Sequence, residues 1–269
     1  VGSEVRFAAG EVEQHAGAAA PPPVSARVVA VALAPGWTGT PAVHDLAVMT
    51  LDAPVTAVPG YRLAAEATVA AAPWVWVAGW GAGGTPAAPQ PAGTLRWGRN
   101  EYDARLPPRE RHGDRVAMFD FDDGSFGRNT LGLVPGGVSS LGLGADEAML
   151  AGLDSGGPSF VEVPGREGAA RGAGSPGNGG AGVGAGVGAG VGAGGRPIGW
   201  ARAWPAWWPR WLGGAGPAPR PELQIAGIHA GIETSRGSGF GGIGLDTLVA
   251  PYAAWIAEVA GEQVVAPGR

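Results

Sequence analysis

Short apolar and β-branched runs, each closed by proline or glycine, recur along most of the chain and predict strands. Val5-Arg6-Phe7 and residues 25–33 and 44–51 come first, with Pro35-Gly36 and Pro54 as stops. Residues 69–78 form a longer run holding Trp74 and Trp76, which ends at Gly79-Trp80-Gly81. Weaker runs follow at 94–97, 116–121, 147–150 and 158–163, and 223–229 and 242–245 complete the set. Many short strands separated by turns argue for an all-β barrel or sandwich. Only the C-terminus changes period. Val249, Tyr252, Ala253, Ile256 and Val259 recur at helical spacing, with Pro251 placed to open a helix and Gly261 to close it.

Residues 165–220 break the pattern. Residues 181–195 repeat Gly, Ala and Val, a composition that loses much backbone entropy on ordering and has little side chain to bury. Trp200, Trp204, Trp207, Trp208 and Trp211 follow, and Pro205 and Pro209 prevent a continuous helix through them. We read the segment as a low-complexity surface insertion. A Trp-lined membrane-surface or ligand-docking patch is the alternative. The remaining chain is long enough to bury a sizeable core.

Composition narrows the chemistry. The 269 residues carry a net charge of −5 and show no basic stripe, which argues against nucleic acid as partner. There is no cysteine, so disulfides, thiolate metal sites and Cys nucleophiles are excluded together. His15, His44, His112 and His229 lack metal-ligand spacing, and no metal or cofactor is expected. All 18 basic residues are arginine, beside 51 glycines and 25 prolines, a bias toward Gly, Ala, Pro and Arg that reads as compositional rather than functional. Outside the Gly-rich tract no stretch of about 18 apolar residues predicts a transmembrane helix. Val1-Gly2-Ser3-Glu4 has neither a basic nor an apolar leader region.

The strongest chemical signal is Leu153-Asp154-Ser155-Gly156-Gly157-Pro158. Two glycines after a serine let backbone approach a substrate closely beside a hydroxyl. Alone, the same letters also describe an ordinary turn. They do not stand alone. The segment resembles the Gly-Asp-Ser-Gly-Gly-Pro nucleophile motif of the chymotrypsin/trypsin-like serine proteases. His44-Asp45-Leu46-Ala47-Val48-Met49-Thr50-Leu51 is similar to that family's Asp-Ile-Ala-Leu-Leu strand, and Val77-Ala78-Gly79-Trp80-Gly81 to its Val-x-Gly-Trp-Gly. Ile225-Ala226-Gly227-Ile228-His229-Ala230-Gly231 resembles the strand lining the substrate cleft. Residues from Asp246 to Ile256 resemble the last strand and C-terminal helix, and the blocks fall in family order.

The resemblance implies an all-β, chymotrypsin-like double β-barrel with a C-terminal α-helix. Residues 1–65 would be the remainder of an incomplete first barrel, 66–164 and 221–250 the second barrel, 165–220 the insertion and 251–262 the helix. It further implies a monomeric, secreted or periplasmic serine endopeptidase that takes a polypeptide substrate and needs no cofactor. By the same carry-over Ser155 is the nucleophile, and Asp45 the carboxylate that orients a histidine base. Backbone amides of Leu153 and Ser155 form the oxyanion hole, and Asp154 pairs with a freshly cut N-terminus.

Three departures qualify it. The base lies about 45 residues before the Asp in such triads, which from Asp45 runs off the front of the chain, so the catalytic His is expected upstream of residue 1. None of the four histidines replaces it: His44 neighbours Asp45 on a strand and points to the other face, His15 and His112 sit in loops, and His229 suits packing or rim polarity. Leu153 stands where the family has Gly. Met149 occupies the pocket-base position that is Asp in trypsin, with Asp146 and Glu147 further upstream. Ala230, Gly231 and Ile232 would be the opposite wall, Gly244 or Gly241 the back, giving a pocket for apolar or small side chains. Three interpretations stand: an endopeptidase, a catalytically inactive homologue acting as a binding module, and a degenerating reading frame. Missing opening strands would leave apolar faces near residues 28–33 and 46–51 open and the chain poorly folded.

Overall fold

The computed structural model describes residues 2–7, 24–39, 43–56, 60–85, 88–106, 115–134, 137, 140–163, 221–233 and 239–261. The Gly/Trp-rich insertion, His15 and His112 lie outside them. The described architecture is mostly β, with two helices, one of them C-terminal.

A three-stranded antiparallel sheet joins β1 (Glu4–Phe7), β2 (Val24–Leu33) and β3 (Ala47–Leu51) in that order. The larger sheet contains β4 (Arg62–Leu63), β5 (Val75–Gly79), β8 (Arg96–Asn100), β9 (Ala104–Arg105), β10 (Val116–Asp120), β11 (Pro158–Val163), β12 (Glu222–Glu233) and β13 (Ile243–Leu248). Its order is β8-β5-β11-β12-β13-β10-β9, with β4 added in parallel beside β12. Among the described residues β8 and β9 do not pair, so the ladder is open. A separate hairpin is formed by β6 (Gly83–Thr85) and β7 (Ala88–Gln90).

Most predicted strands are present, and the differences have local causes. The apolar run 69–78 divides into helix α1 (Glu66–Ala71) and strand β5. Its first half is Ala-rich and favours helix, and Pro73 forces the preceding residue out of helical geometry. Residues 147–150 form no strand, only a bridge between Arg99 and Glu147. There the Asn100 side chain takes a ladder partner's place, donating to Ala148 O at 2.8 Å and Asp120 O at 2.9 Å. β3 begins only at Ala47. His44 has φ +58°, and Leu46 N donates to His44 O at 2.9 Å, closing a three-residue turn on Asp45. The expectation that His44 and Asp45 share a strand is therefore corrected: they sit in a turn, where strand alternation does not govern their side chains.

Two cores organise these elements. Val75 and Val77 of β5, Ala117 and Phe119 of β10, Val161 of β11 and Leu248 of β13 form one, with Val69 of α1 and Leu150. Strand alternation explains the choice on β5, where Trp76 faces outward and its indole N–H donates to Glu162 at 2.8 Å. In the second core Leu46, just ahead of β3, and Val48 of β3 pack against Ile228 of β12 and against Val249, Tyr252 and Ile256. The last residues lead into α2 (Ala253–Ala260), entered through a 3-10 turn that contains Pro251 and closed at Gly261 with φ +70°. Among the described residues no helix is long and apolar enough to cross a membrane.

A buried polar layer flanks the large sheet's β10 end. Glu147 accepts N–H bonds from Asp122 and Leu143, Asp120 accepts from Leu131 at 2.8 Å, and Asp103 accepts from Asp120 at 3.3 Å. Burial pushes Asp103 up to about 9, with Asp120 adding to the rise. Burial likewise raises Asp122 and Glu147 to about 7. Among the described residues no cluster of three His, Asp or Glu side chains is arranged to hold a metal ion. These acids bind protons more tightly folded than unfolded, where their values are near 3.8 and 4.5. Their stabilisation is therefore complete below about pH 4 and lost as pH rises through about 7 and then about 9. Urea midpoints are expected to fall between pH 5.5 and 8.5, with a shallower fall in Asp122→Asn. A midpoint that rises across this range contradicts the protonated assignment.

Candidate functional site

Ser155 sits in the second of two consecutive β-turns. In the first, Asp154 N donates to Ala151 O at 3.1 Å; in the second, Gly157 N donates to Asp154 O at 2.8 Å. Each turn has positive φ at its third residue, the mark of a type II turn: Leu153 at +75° and Gly156 at +83°. Glycine meets that demand without strain at 156. At 153 a side chain that is 76 % exposed carries the strain, which costs about 1–2 kcal/mol. The Leu that stands at the family's Gly position thus adopts the conformation for which glycine is suited.

Asp154 fastens the pair of turns to the large sheet. Its Oδ1 accepts from Gly81 N at 2.7 Å and its Oδ2 from Ala151 N at 2.9 Å. The carboxylate lies against bare backbone at the end of β5. A Cβ on Gly79 would overlap Oδ1, and one on Gly81 would stand 2.5 Å from it. Gly79-Trp80-Gly81 is thus explained by close approach.

The turns leave donors free in alternation. Asp154, Gly156 and Gly157 all donate their N–H groups, the second to His229 O at 2.9 Å. Among the described residues the N–H groups of Leu153 and Ser155 donate to no acceptor, and the Ser155 hydroxyl makes no hydrogen bond. Two unused amides beside an unbonded hydroxyl are a chemical resource: they can receive charge developing on an oxygen held between them.

Beneath the turn lies a buried histidine–carboxylate pair. His229 of β12 stands directly opposite Asp246 of β13, with Nδ1 2.8 Å from Asp246 Oδ1. The other ring nitrogen, Nε2, is 3.2 Å from Ala78 O. Tyr102 donates its hydroxyl to Asp246 Oδ2 at 2.6 Å. The Ser159 hydroxyl is buried and lacks a hydrogen bond of ordinary geometry. Burial disfavours the His229 charge, but Asp246 outweighs it and raises the imidazole above its ordinary value. Burial also opposes ionisation of Asp246, yet the His229 charge and the bonds it receives lower it. Burial and Asp246 together raise Tyr102 well above its usual range.

The expected site residues come together only in part. Ser155, Leu153 and Asp154 share the tandem turns. Asp45 lies in its turn ahead of β3, and no hydrogen bond joins it to Ser155. Its neighbour His44 is buried, with Nδ1 2.8 Å from the Tyr252 hydroxyl. Met149 and Ile232 both pack against the core that contains Phe119, and Gly244 leaves the space its ring occupies, a Cβ there standing 2.5 Å from Phe119. Ala230 falls in a bulge between His229 and Gly231, and nothing lies within 4 Å of a Cβ on Gly231. Asp146 pairs with Arg99, and Glu147 is buried among amides.

Sequence reasoning misses the His229–Asp246 pair, although a signal for it exists. One titratable residue sits inside each of two largely apolar strands, and buried polar groups must find each other. No model of a known protein family and no curated protein matches the chain.

Leu153→Gly is expected to stabilise the fold by about 1 kcal/mol, because removing αL strain outweighs glycine's added unfolded-state entropy. Denaturant unfolding checks this, and a destabilised variant would show that Leu153 is not strained.

Proposed function

We propose that the chain is a trypsin-like serine endopeptidase with Ser155 as nucleophile, built on a chymotrypsin-like double barrel. The observation that carries it is the pair of unused amides at Leu153 and Ser155 flanking an unbonded hydroxyl. In this reading Ser155 Oγ attacks a peptide carbonyl and passes its proton to a histidine base. The oxyanion is held by the two amides, and the amine leaves with the proton returned through the base. Water then hydrolyses the acyl-enzyme. Asp45 orients the base. In this reading Met149 forms the base and Ala230, Gly231 and Ile232 the wall of an apolar pocket, favouring small or apolar side chains before the cut bond. A polypeptide substrate and a secreted or periplasmic setting go with the family.

Neither described histidine suits the base. His44 is buried against Tyr252, and His229 has a hydrogen-bond partner at each ring nitrogen. The reading therefore requires a histidine outside the described residues. That same observation favours a second reading, a protease homologue that binds polypeptide without cutting it.

A fluorophosphonate probe applied to the full-length gene product separates the two. The endopeptidase reading expects a phosphonyl adduct on Ser155, with fluoride lost, seen by mass spectrometry and absent in Ser155→Ala. A folded, unlabelled protein under conditions that label a control protease would overturn it.

A further inference from the structure

The His229–Asp246 pair is fully buried at both side chains, and catalysis as proposed does not use it. Its location makes it consequential. The His229 main chain holds the Ser155 turn by two hydrogen bonds: Gly156 N donates to His229 O, and His229 N to Gly157 O, both at 2.9 Å. The ring packs against the same turn, since a Cβ on Gly157 would stand 2.9 Å from both His229 Cδ2 and Ala78 O.

Both ring nitrogens face acceptors. Asp246 Oδ1 lies at Nδ1 and Ala78 O at Nε2, and neither a carboxylate nor a carbonyl can donate. A neutral imidazole has one N–H and would set a lone pair against one of these oxygens. Only the imidazolium satisfies both. The groups facing it agree: the Asp246 carboxylate from β13, itself held by Tyr102 ahead of β9, and the Asp154 carboxylate from the turn. Ser159 of β11 contributes a neutral hydroxyl beside Asp246, and Arg105 of β9 acts on Tyr102.

We propose that His229 is a positioning residue for Ser155, an imidazolium that ties the nucleophile turn to β5 and β13 at once. The proposal rests on Ser155 being the nucleophile. When His229 loses its proton one ring bond must be given up. Asp246, the charged acceptor, keeps the remaining N–H, so the tie to Ala78 fails and the turn loosens on its β5 side. The raised imidazole places this event on the alkaline side of the ordinary His range.

The test combines two readouts on the full-length protein. Nitrogen-15 spectra of labelled histidine, assigned with His229→Gln, are expected to show both His229 nitrogens protonated at pH 7. The Gly156 and Gly157 amide shifts should follow the same alkaline midpoint. A single neutral tautomer at pH 7, or glycine amides indifferent to the His229 midpoint, overturns the proposal even if Ser155 proves inert. In the second readout, the fluorophosphonate rate at Ser155 should fall at least tenfold across that midpoint. Asp246→Asn should move the fall to lower pH by about one unit or more, leaving the neutral-pH adduct on the same serine. A fall that stays at the same pH in a folded Asp246→Asn protein counts against His229. Absence of labelling at every pH sinks the nucleophile assignment instead, while the nitrogen spectra still decide the protonation claim.

Discussion

The Asp154 carboxylate is the contact on which the site depends. It accepts one N–H from within its own turn, at Ala151, and one from Gly81, two residues beyond β5. Charge-assisted bonds of this kind are roughly twice as strong as neutral ones. The Gly81 bond ties the turn to a segment more than seventy residues earlier, beside the backbone bond from Ala82 N to Gly152 O at 2.8 Å. They also account for a sequence feature that looks decorative, because Gly79 and Gly81 cannot carry a Cβ without striking that carboxylate. Ser155 inherits its position from this fastening and from the backbone bonds to His229 on the other side.

Backbone strain and buried polarity meet at this turn. Leu153 holds a left-handed conformation on an exposed side chain, so packing gives nothing back at that point. Unfavourable backbone of this sort persists only where surrounding contacts over-determine it, and it gathers at functional sites. Below the turn a fully buried imidazole and carboxylate sit between apolar strands, an arrangement that costs desolvation and is tolerated only with every donor placed. Tyr102 and Ala78 supply the remaining partners. The second core, from Leu46 through Ile228 to Ile256, brings the small sheet against β12, next to this pair.

Legibility in the sequence followed the range of the interactions. Strands β1, β2, β10, β11, β12 and β13 were readable because alternation and turn residues act locally, as was the C-terminal helix with Pro251 and Gly261. The helix α1 hid inside an apolar run, since Ala and Val serve helix and buried strand alike until Pro73 breaks the tie. The Ser155 turn could be located but not its geometry. That Leu153 would accept positive φ, and that its amide would stay unused, depends on contacts with residues near 81 and 229. Sequence reasoning did not single out the buried acids Asp103, Asp120 and Asp122 and put Glu147 in a strand run, because nothing local says that the amides of 122, 131 and 143 will meet carboxylates in the interior.

The most direct measurement of the central contact is amide hydrogen exchange, read residue by residue, at Gly81 and Ala151. Both lie outside regular strands, and their protection depends on one carboxylate. The expected result is slow exchange at both positions, becoming fast in Asp154→Ala while the β12 and β13 amides stay protected. Rapid exchange at Gly81 and Ala151 in the unsubstituted protein would contradict the fastening of the turn by Asp154.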